Sequence, residues 1–252
     1  MKAYGVIPAR LHSTRLPRKL LLAETGRPLI QYVWENARQA TALSDVLVAA
    51  DSSEIEAAVH AFGGRCVLTG EHPSGTDRIA EVARRSLPDA DIIVNIQGDE
   101  PELDPSHIDR LVNLLAADPH APMATLVTPI HAAEQVLATS CVKVVCGADG
   151  RALYFSRAPI PHVRDRSIEE VLSAGERPWL LHLGIYAYRR DFLLELTSRP
   201  VSRLEFAEKL EQLRALEAGA RILVDVVDHP SVGIDTPTDY ALFVERQGRR
   251  AG

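Results

Sequence analysis

The sequence is poor in the features that assign a protein quickly, and each absence closes off a class. Only 3 of its 252 residues are cysteine. Cys66, Cys141 and Cys146 are scattered in or beside apolar segments, with no C-x-x-C pair and no Cys/His spacing of a zinc site. A disulfide scaffold and a structural zinc module are thereby excluded, and buried free thiols are expected. No apolar run approaches the twenty residues of a membrane-spanning helix. Met1-Lys2 leads straight into a strand-like segment without a signal-peptide pattern, so a soluble, cytoplasmic protein that does not engage a membrane is expected. Positive charge is not in excess: 28 Lys and Arg against 34 Asp and Glu give a net charge of −6, which argues against nucleic acid as a general partner. Repeats and low-complexity tracts are missing. So are both familiar phosphate fingerprints, G-x-x-x-x-G-K-[ST] and G-x-G-x-x-G, and the second absence disfavours a dinucleotide oxidoreductase.

What is there reads as a sizeable α/β protein. Apolar residues make up 46% of the chain, enough for a full core. Short apolar runs at residues 4–7, 46–50, 65–68, 91–96 and 124–127 alternate with helical periodicity. Leu29, Ile30, Val33, Trp34 and Ala37 mark one such helix, and residues 54–62, 79–83 and 105–116 mark others. Strands alternating with helices at this spacing imply a mostly parallel, doubly wound sheet. Beyond residue 142 the alternation stops. A hairpin is expected at 142–156 around Asp149-Gly150, then a proline-rich connection at 159–178 with little periodicity. A strand follows at 182–188, helices at 191–197 and about 203–217, a late strand at 222–227 and a final helix after Pro237. A single domain results, with a core from about 1–150 and 219–252 and a smaller mixed region from about 151–218.

The loops after the strands carry the chemistry. The first strand runs through Pro8 into a loop bearing Arg10, Arg15, Arg18 and Lys19, with hydroxyls at Ser13 and Thr14. A basic loop at the end of a first strand suits an anion held where the strands of an open sheet end, and a local basic patch in an acidic protein suits a small anionic ligand. Ser74 or Thr76 can cap the helix after Gly75, where a ligand can approach the backbone closely. Arg78 then sits in the first turn, against the helix dipole, mildly unfavourable unless an anion arrives. The most apolar strand ends in Gln97-Gly98-Asp99-Glu100-Pro101. Two adjacent acids exceed what a cap requires, so at least one is expected to ligate a hard cation, in the manner of magnesium with phosphate oxygens and one or two carboxylates. Asp235 precedes Thr236-Pro237, and by itself it reads as the cap of the last helix. Strand alternation puts His182, Gly184 and Tyr186 on one face, two polar-tipped side chains flanking a glycine, which favours a pocket floor.

Taken together and in order, seven stretches resemble one family. They are P-A-R-x-x-S-T-R-L-P-x-K at 8–19, S-G-T-D-R at 74–78, N-I-Q-G-D-E-P at 95–101 and Y-F-S-R at 154–157. H-L-G-I-Y at 182–186, L-E-Q-L-R at 210–214 and G-I-D-T-P at 233–237 complete the set. The sequence resembles the CMP-Kdo synthetases, the 3-deoxy-manno-octulosonate cytidylyltransferases, over nearly its whole length. The resemblance implies a Rossmann-like nucleotidyltransferase fold, a homodimer formed through the smaller region, and magnesium-dependent transfer of CMP from CTP to the sugar acid Kdo for lipopolysaccharide synthesis. It implies that Arg10, Arg15 and Lys19 bind the triphosphate, with Lys19 and Arg10 catalytic. It further implies that Ser74, Gly75 and Arg78 hold the cytidine and its phosphate, and that Asp99 and Asp235 are catalytic magnesium ligands. Gln97, Arg157, His182, Tyr186, Glu211 and Gln212 would hold the sugar acid. Two departures stand out: Arg18 and Leu20 replace the glycine and second proline of the common L-P-G-K-P-L, and Pro73 replaces a residue often polar in relatives. A cytidylyltransferase for another sugar acid, such as 8-amino-Kdo or a sialic acid, and a non-catalytic nucleotide-binding regulator are the rival readings.

Overall fold

A computed structural model describes residues 1–251. The chain runs β1 (Ala3–Ala9), α1 (Leu29–Ala37), β2 (Asp45–Ala50), α2 (Ser53–Ala61), β3 (Arg65–Leu68), α3 (Gly75–Ser86), β4 (Ile92–Asn95), α4 (Pro105–Ala117) and β5 (Met123–Pro129). It continues α5 (Ala133–Leu137), β6 (Lys143–Cys146), β7 (Ala152–Ser156), α6 (Ile168–Ser173), β8 (Leu180–Arg189), α7 (Arg190–Ser198), α8 (Arg203–Glu208), α9 (Gln212–Glu217), β9 (Ile222–Val226) and α10 (Pro237–Ala251).

The main sheet has the order β3-β2-β1-β4-β8-β5-β9. Its neighbours pair in parallel except β8, which is antiparallel to both β4 and β5. The order reverses between β2-β1 and β1-β4, so a crevice opens at the carboxyl ends of β1 and β4. Side-chain alternation separates the two faces. Val46, Val48, Ala50, Ile92 and Val94 join the core that α1, α2 and α4 cover, whereas Leu47, Ala49 and Ile93 join the core covered by α3 and α7. Local chemistry starts and ends the helices. Ser52 and Ser74 accept from Ile55 N and Asp77 N at the starts of α2 and α3, and Gly63 ends α2 in the left-handed region at φ 80°.

Residues 151–218 join the main sheet: β8 runs through its middle, and the β6–β7 hairpin is attached to it through β6. Two expectations need correction. The connection at 159–178 is not featureless. It contains α6, started by a Ser167/Glu170 capping box, and a small core of Val171, Trp179, Ile130 and Val136 forms beneath it.

The helix expected over 203–217 is two helices. Lys209 breaks it at φ 55°. The carbonyls left at the end of α8 are taken by Arg157, whose Nε donates to Glu208 O at 2.8 Å and Nη2 to Lys209 O at 3.4 Å. Glu205 and Arg214 then pair across the break, both nearly buried, with Arg214 Nε 2.7 Å from Glu205 Oε2 and Nη2 2.5 Å from Oε1. Removing one partner strands a buried charge. Glu205→Ala is therefore expected to lower unfolding free energy by about 3–5 kcal/mol, measured by urea denaturation; a loss below about 1 kcal/mol would show that water replaces the partner.

Candidate active site

The loop after β1 is anchored by Leu16 and Leu20, both buried. Between them Arg18 adopts φ 55° and ψ 27°, the left-handed region. The turn that a glycine makes freely is thus kept here by an arginine, at a conformational cost of about 1 kcal/mol, and Arg18 forms an ion pair with Glu54. A single turn of 3-10 helix follows, and it sends the Lys19 side chain inward, leaving that residue 9% exposed.

Lys19 meets two acids. Its Nζ lies 2.7 Å from Asp99 Oδ2 and 3.1 Å from Asp235 Oδ1. Arg15 takes the other oxygen of Asp235 at 3.0 Å. The carboxylates come from the ends of β4 and β9, and the two loops are also tied by Ile234 N donating to Asp99 O at 2.9 Å. Gly98 permits this approach, since a Cβ there would stand 3.1 Å from Pro8 O. Asp235 does not cap the last helix. Thr236 accepts from Asp239 N at 3.2 Å and Asp239 accepts from Thr236 N at 2.8 Å, which leaves Asp235 free to face Lys19. Glu100 turns the other way. Its carboxyl is half-buried beside Ser231, and burial, followed by the neighbouring Asp99 charge, pushes it up to about 7. Of the two adjacent acids, Asp99 faces the cations, and Glu100 forms no ion pair among the described residues.

The other expected nucleotide residues are distributed unevenly. Arg10 is exposed and has no acid partner among the described residues. Ser74 and Gly75 open α3 beside the first strand, a Cβ on Gly75 lying 3.3 Å from Pro8 Cγ. Arg78 is buried and already engaged, with Nη1 on Thr69 Oγ1 at 2.6 Å and Nη2 3.4 Å from Asp51 Oδ2. Asp51 supplies the anion that its position on the helix dipole calls for.

On the far side of the crevice, Gln97 donates to Gly184 O at 2.6 Å, so the end of β4 is tied to β8. Phe155, His182, Tyr186 and Tyr188 form a row with successive ring centroids 5.1, 5.2 and 5.6 Å apart. Thr125 donates its hydroxyl to Ile185 O at 2.8 Å, which leaves its lone pairs for His182 Nε2 at 3.0 Å. That pairing assigns the proton to Nε2 and presents Nδ1 as an acceptor. Burial of the ring holds the imidazole well below its ordinary value, at about 3. Tyr188 was missed by the sequence reading, although it is the next residue on the face of His182 and Tyr186. Gln212 is buried at the start of α9 and Glu211 immediately precedes it. Arg157 stands apart from this group: beyond the α8 carbonyls, its Nη1 donates to Thr139 O at 2.9 Å, so the structure uses it to hold main chain.

Comparison with known proteins bears directly on this arrangement. Residues 4–222 match the family described as cytidylyltransferase. The chain belongs to the cytidylyltransferase family. It is 47% identical over 250 residues to a 3-deoxy-manno-octulosonate cytidylyltransferase of Geotalea uraniireducens, covering 98% of this chain and 99% of the relative. A protein of the same name from Geobacter sulfurreducens is 46% identical over 250 residues, with the same coverage. Among solved structures, a CMP:2-keto-3-deoxy-manno-octonic acid synthetase complexed with CTP superposes with a TM-score of 0.91. It is 42% identical, with 99% of this chain and 100% of that one covered. A 4-diphosphocytidyl-2C-methyl-D-erythritol synthase of Anaerococcus prevotii, 11% identical at a TM-score of 0.63 and covering 98% of this chain and 99% of that one, shares the fold. The cytidylyltransferase fold thus gathers Lys19, Arg15, Asp99 and Asp235 at one sheet edge, beside the aromatic row on β8.

The neutral His182 carries a pH signature. In the unfolded chain a histidine protonates near 6.5, whereas the folded value is about 3. The unfolded state binds the extra proton first. Stability is whole above pH 6.5 and falls as pH drops toward 3. The urea midpoint of the wild type is expected to fall more steeply between pH 6.5 and 4 than that of His182→Gln; equal slopes would contradict a neutral, buried imidazole.

Proposed function

We propose that this cytidylyltransferase transfers CMP from CTP to the anomeric hydroxyl of 3-deoxy-manno-octulosonate, releasing pyrophosphate. The observation that carries the reading is the Lys19 ammonium held between Asp99 and Asp235 at the crevice of the sheet. The names and near full-length identity of the relatives support the substrate pair. In the reaction the anomeric oxygen bonds to the α-phosphorus, the bond from that phosphorus to the bridging oxygen of the β-phosphate breaks, and the hydroxyl proton leaves to solvent. Both reactants are anions. At about 4 Å a cation gains roughly 4 kcal/mol against each unit of their charge at an effective dielectric of 20, so Arg10, Arg15 and Lys19 together offset the repulsion. Lys19 and Arg10 would stabilise the charge that develops on the leaving pyrophosphate. Ser74 and Gly75 would hold the cytidine end, with Arg78 bracing that helix start. Gln97, Tyr186, Glu211 and Gln212 would surround the sugar acid, and His182 would accept from one of its hydroxyls through Nδ1.

Asp99 and Asp235 fit a divalent cation: they are hard oxygen donors on separate loops, and they already converge on a positive charge. Magnesium bound there would supply charge neutralisation at the phosphate oxygens. We further propose a homodimer in the cytoplasm, formed through the smaller region of residues 151–218, which exposes Leu153, Val201 and Phe206. Light scattering should then give twice the protomer mass, and Phe206→Glu should reduce it.

Pyrophosphate release measured with each of the four nucleoside triphosphates against a panel of sugar acids should be selective for CTP with Kdo. Selectivity for a sialic acid or 8-amino-Kdo would move the assignment within the family, and no turnover with any pair would overturn it. Asp99→Ala should abolish turnover with the fold intact, whereas near wild-type turnover in excess magnesium would remove the metal role. Lys19→Ala should lower kcat about 10²–10³-fold, far more than it weakens sugar-acid binding.

A further inference from the structure

The loop between β3 and α3 reaches the nucleotide side of the crevice, and a single carboxylate grips it. The loop leaves the carboxyl edge of the sheet beside β2, where Thr69 N donates to Ala50 O at 2.9 Å. It ends at Ser74, the cap of α3. Glu81, on α3, reaches back along it. Glu81 Oε2 accepts from Gly70 N at 3.1 Å and from His72 Nε2 at 2.6 Å. Arg85, one turn further along α3, takes the other oxygen of Glu81 and donates to Leu68 O at 3.3 Å. The loop is thus held from its first residues to its middle.

Exposure decides which of these contacts matters most. Arg85 is 57% exposed, so water and salt screen its ion pair and it adds little. The side chains of His72 and Glu81 are only 21% and 18% exposed, and a hydrogen bond shielded in this way is stronger than one in water. Its direction is fixed as well. The donors around it, His72 first, hold the Glu81 carboxyl well below the ordinary range, at about 2. An ionised carboxylate only accepts, so Nε2 carries the hydrogen. Past His72 the path to the helix is short and stiff. Pro73 has a fixed φ and no N–H of its own to offer. Ser74 spends its oxygen on Asp77 N at 3.2 Å, and Gly75 sits against Pro8. Where the imidazole is held, Ser74 must follow.

We propose that His72 and Glu81 are positioning residues: Glu81 holds the imidazole, and through it sets where Ser74 and Gly75 meet the cytidine end of CTP. This rests on the assignment of Ser74 and Gly75 to the nucleotide. The sugar-acid residues stand across the crevice on β8 and at the start of α9 and take no part in the bond, so its loss should be felt at the nucleotide alone.

The competing role for His72 is a direct contact with the nucleotide, and two amides separate the roles. Glutamine carries its amide nitrogen where the imidazole has Nε2; asparagine carries it where the imidazole has Nδ1. Calorimetric titration with CTP is the readout. His72→Phe should raise Kd for CTP roughly tenfold, the scale of a hydrogen bond to a charged group. His72→Gln should stay within about twofold of the wild type, and His72→Asn should behave as His72→Phe. Glu81→Ala should show the same loss, and His72→Phe added to it should cost no more than a further twofold, because the two side chains act as one unit. KM for the sugar acid should stay within about twofold throughout. Unchanged CTP affinity in His72→Phe, rescue by Asn in place of Gln, additive losses in the double variant, or an equal rise in KM for the sugar acid would overturn the proposal. The His72 series decides alone if Glu81→Ala does not fold. Titration needs no turnover, so a wild type that binds CTP but turns over no sugar acid would refute the assigned reaction and leave this test standing. A wild type that turns over normally while His72→Phe binds CTP as tightly would keep the reaction and refute the positioning role.

Discussion

One ammonium group organises the edge of the sheet. Asp99 and Asp235 arrive from different strands, and as like charges they would repel if nothing stood between them. Lys19 converts that repulsion into two attractions, at 2.7 and 3.1 Å. Other features of the loops serve the same contact. Leu16 and Leu20 hold the lysine's loop down, and Gly98 lets the β4 loop settle on Pro8. Ile234 N bonds to Asp99 O and ties the β4 loop to the segment leading to Asp235. Thr236 relieves Asp235 of capping duty by taking the helix start itself. The cluster is a tertiary product: no local propensity in any of the three loops would produce it alone.

What could be read without coordinates follows from this distinction. Patterns with a local cause were legible. Strand and helix periods gave the βα order, and Ser74, one of two candidate caps, gave the start of α3. Alternation along β8 gave the shared face of His182 and Tyr186. The Ser167/Glu170 capping box of α6 was equally local and was overlooked among the prolines around it. Where a distant partner decides, the reading stopped. Nothing near Lys209 announces a break, because the break is stabilised by Arg157 donating to the carbonyls of Glu208 and Lys209 from a different part of the chain. The Asp99–Glu100 pair shows the same limit: two neighbouring acids invite one role, and only the fold sends them to opposite sides. Arg18 makes the converse point, since the turn's conformation survives there without the glycine that usually signals it.

The charges of the cluster bear on which kind of anion site this is. Lys19 and Arg15 balance Asp99 and Asp235, and Arg10 is left as the cation of this loop without an acid partner among the described residues. Lys19 has a third hydrogen to give a phosphate oxygen, but two carboxylates beside a polyanion are repelled unless another cation joins them. A pocket built only to retain an anion gains nothing from two acids at its centre; they would weaken its hold. Two acids become useful when a divalent ion is to enter with the nucleotide, because they then become its ligands. The acid half of the cluster, more than the basic half, therefore separates the proposed transferase from a nucleotide-binding regulator.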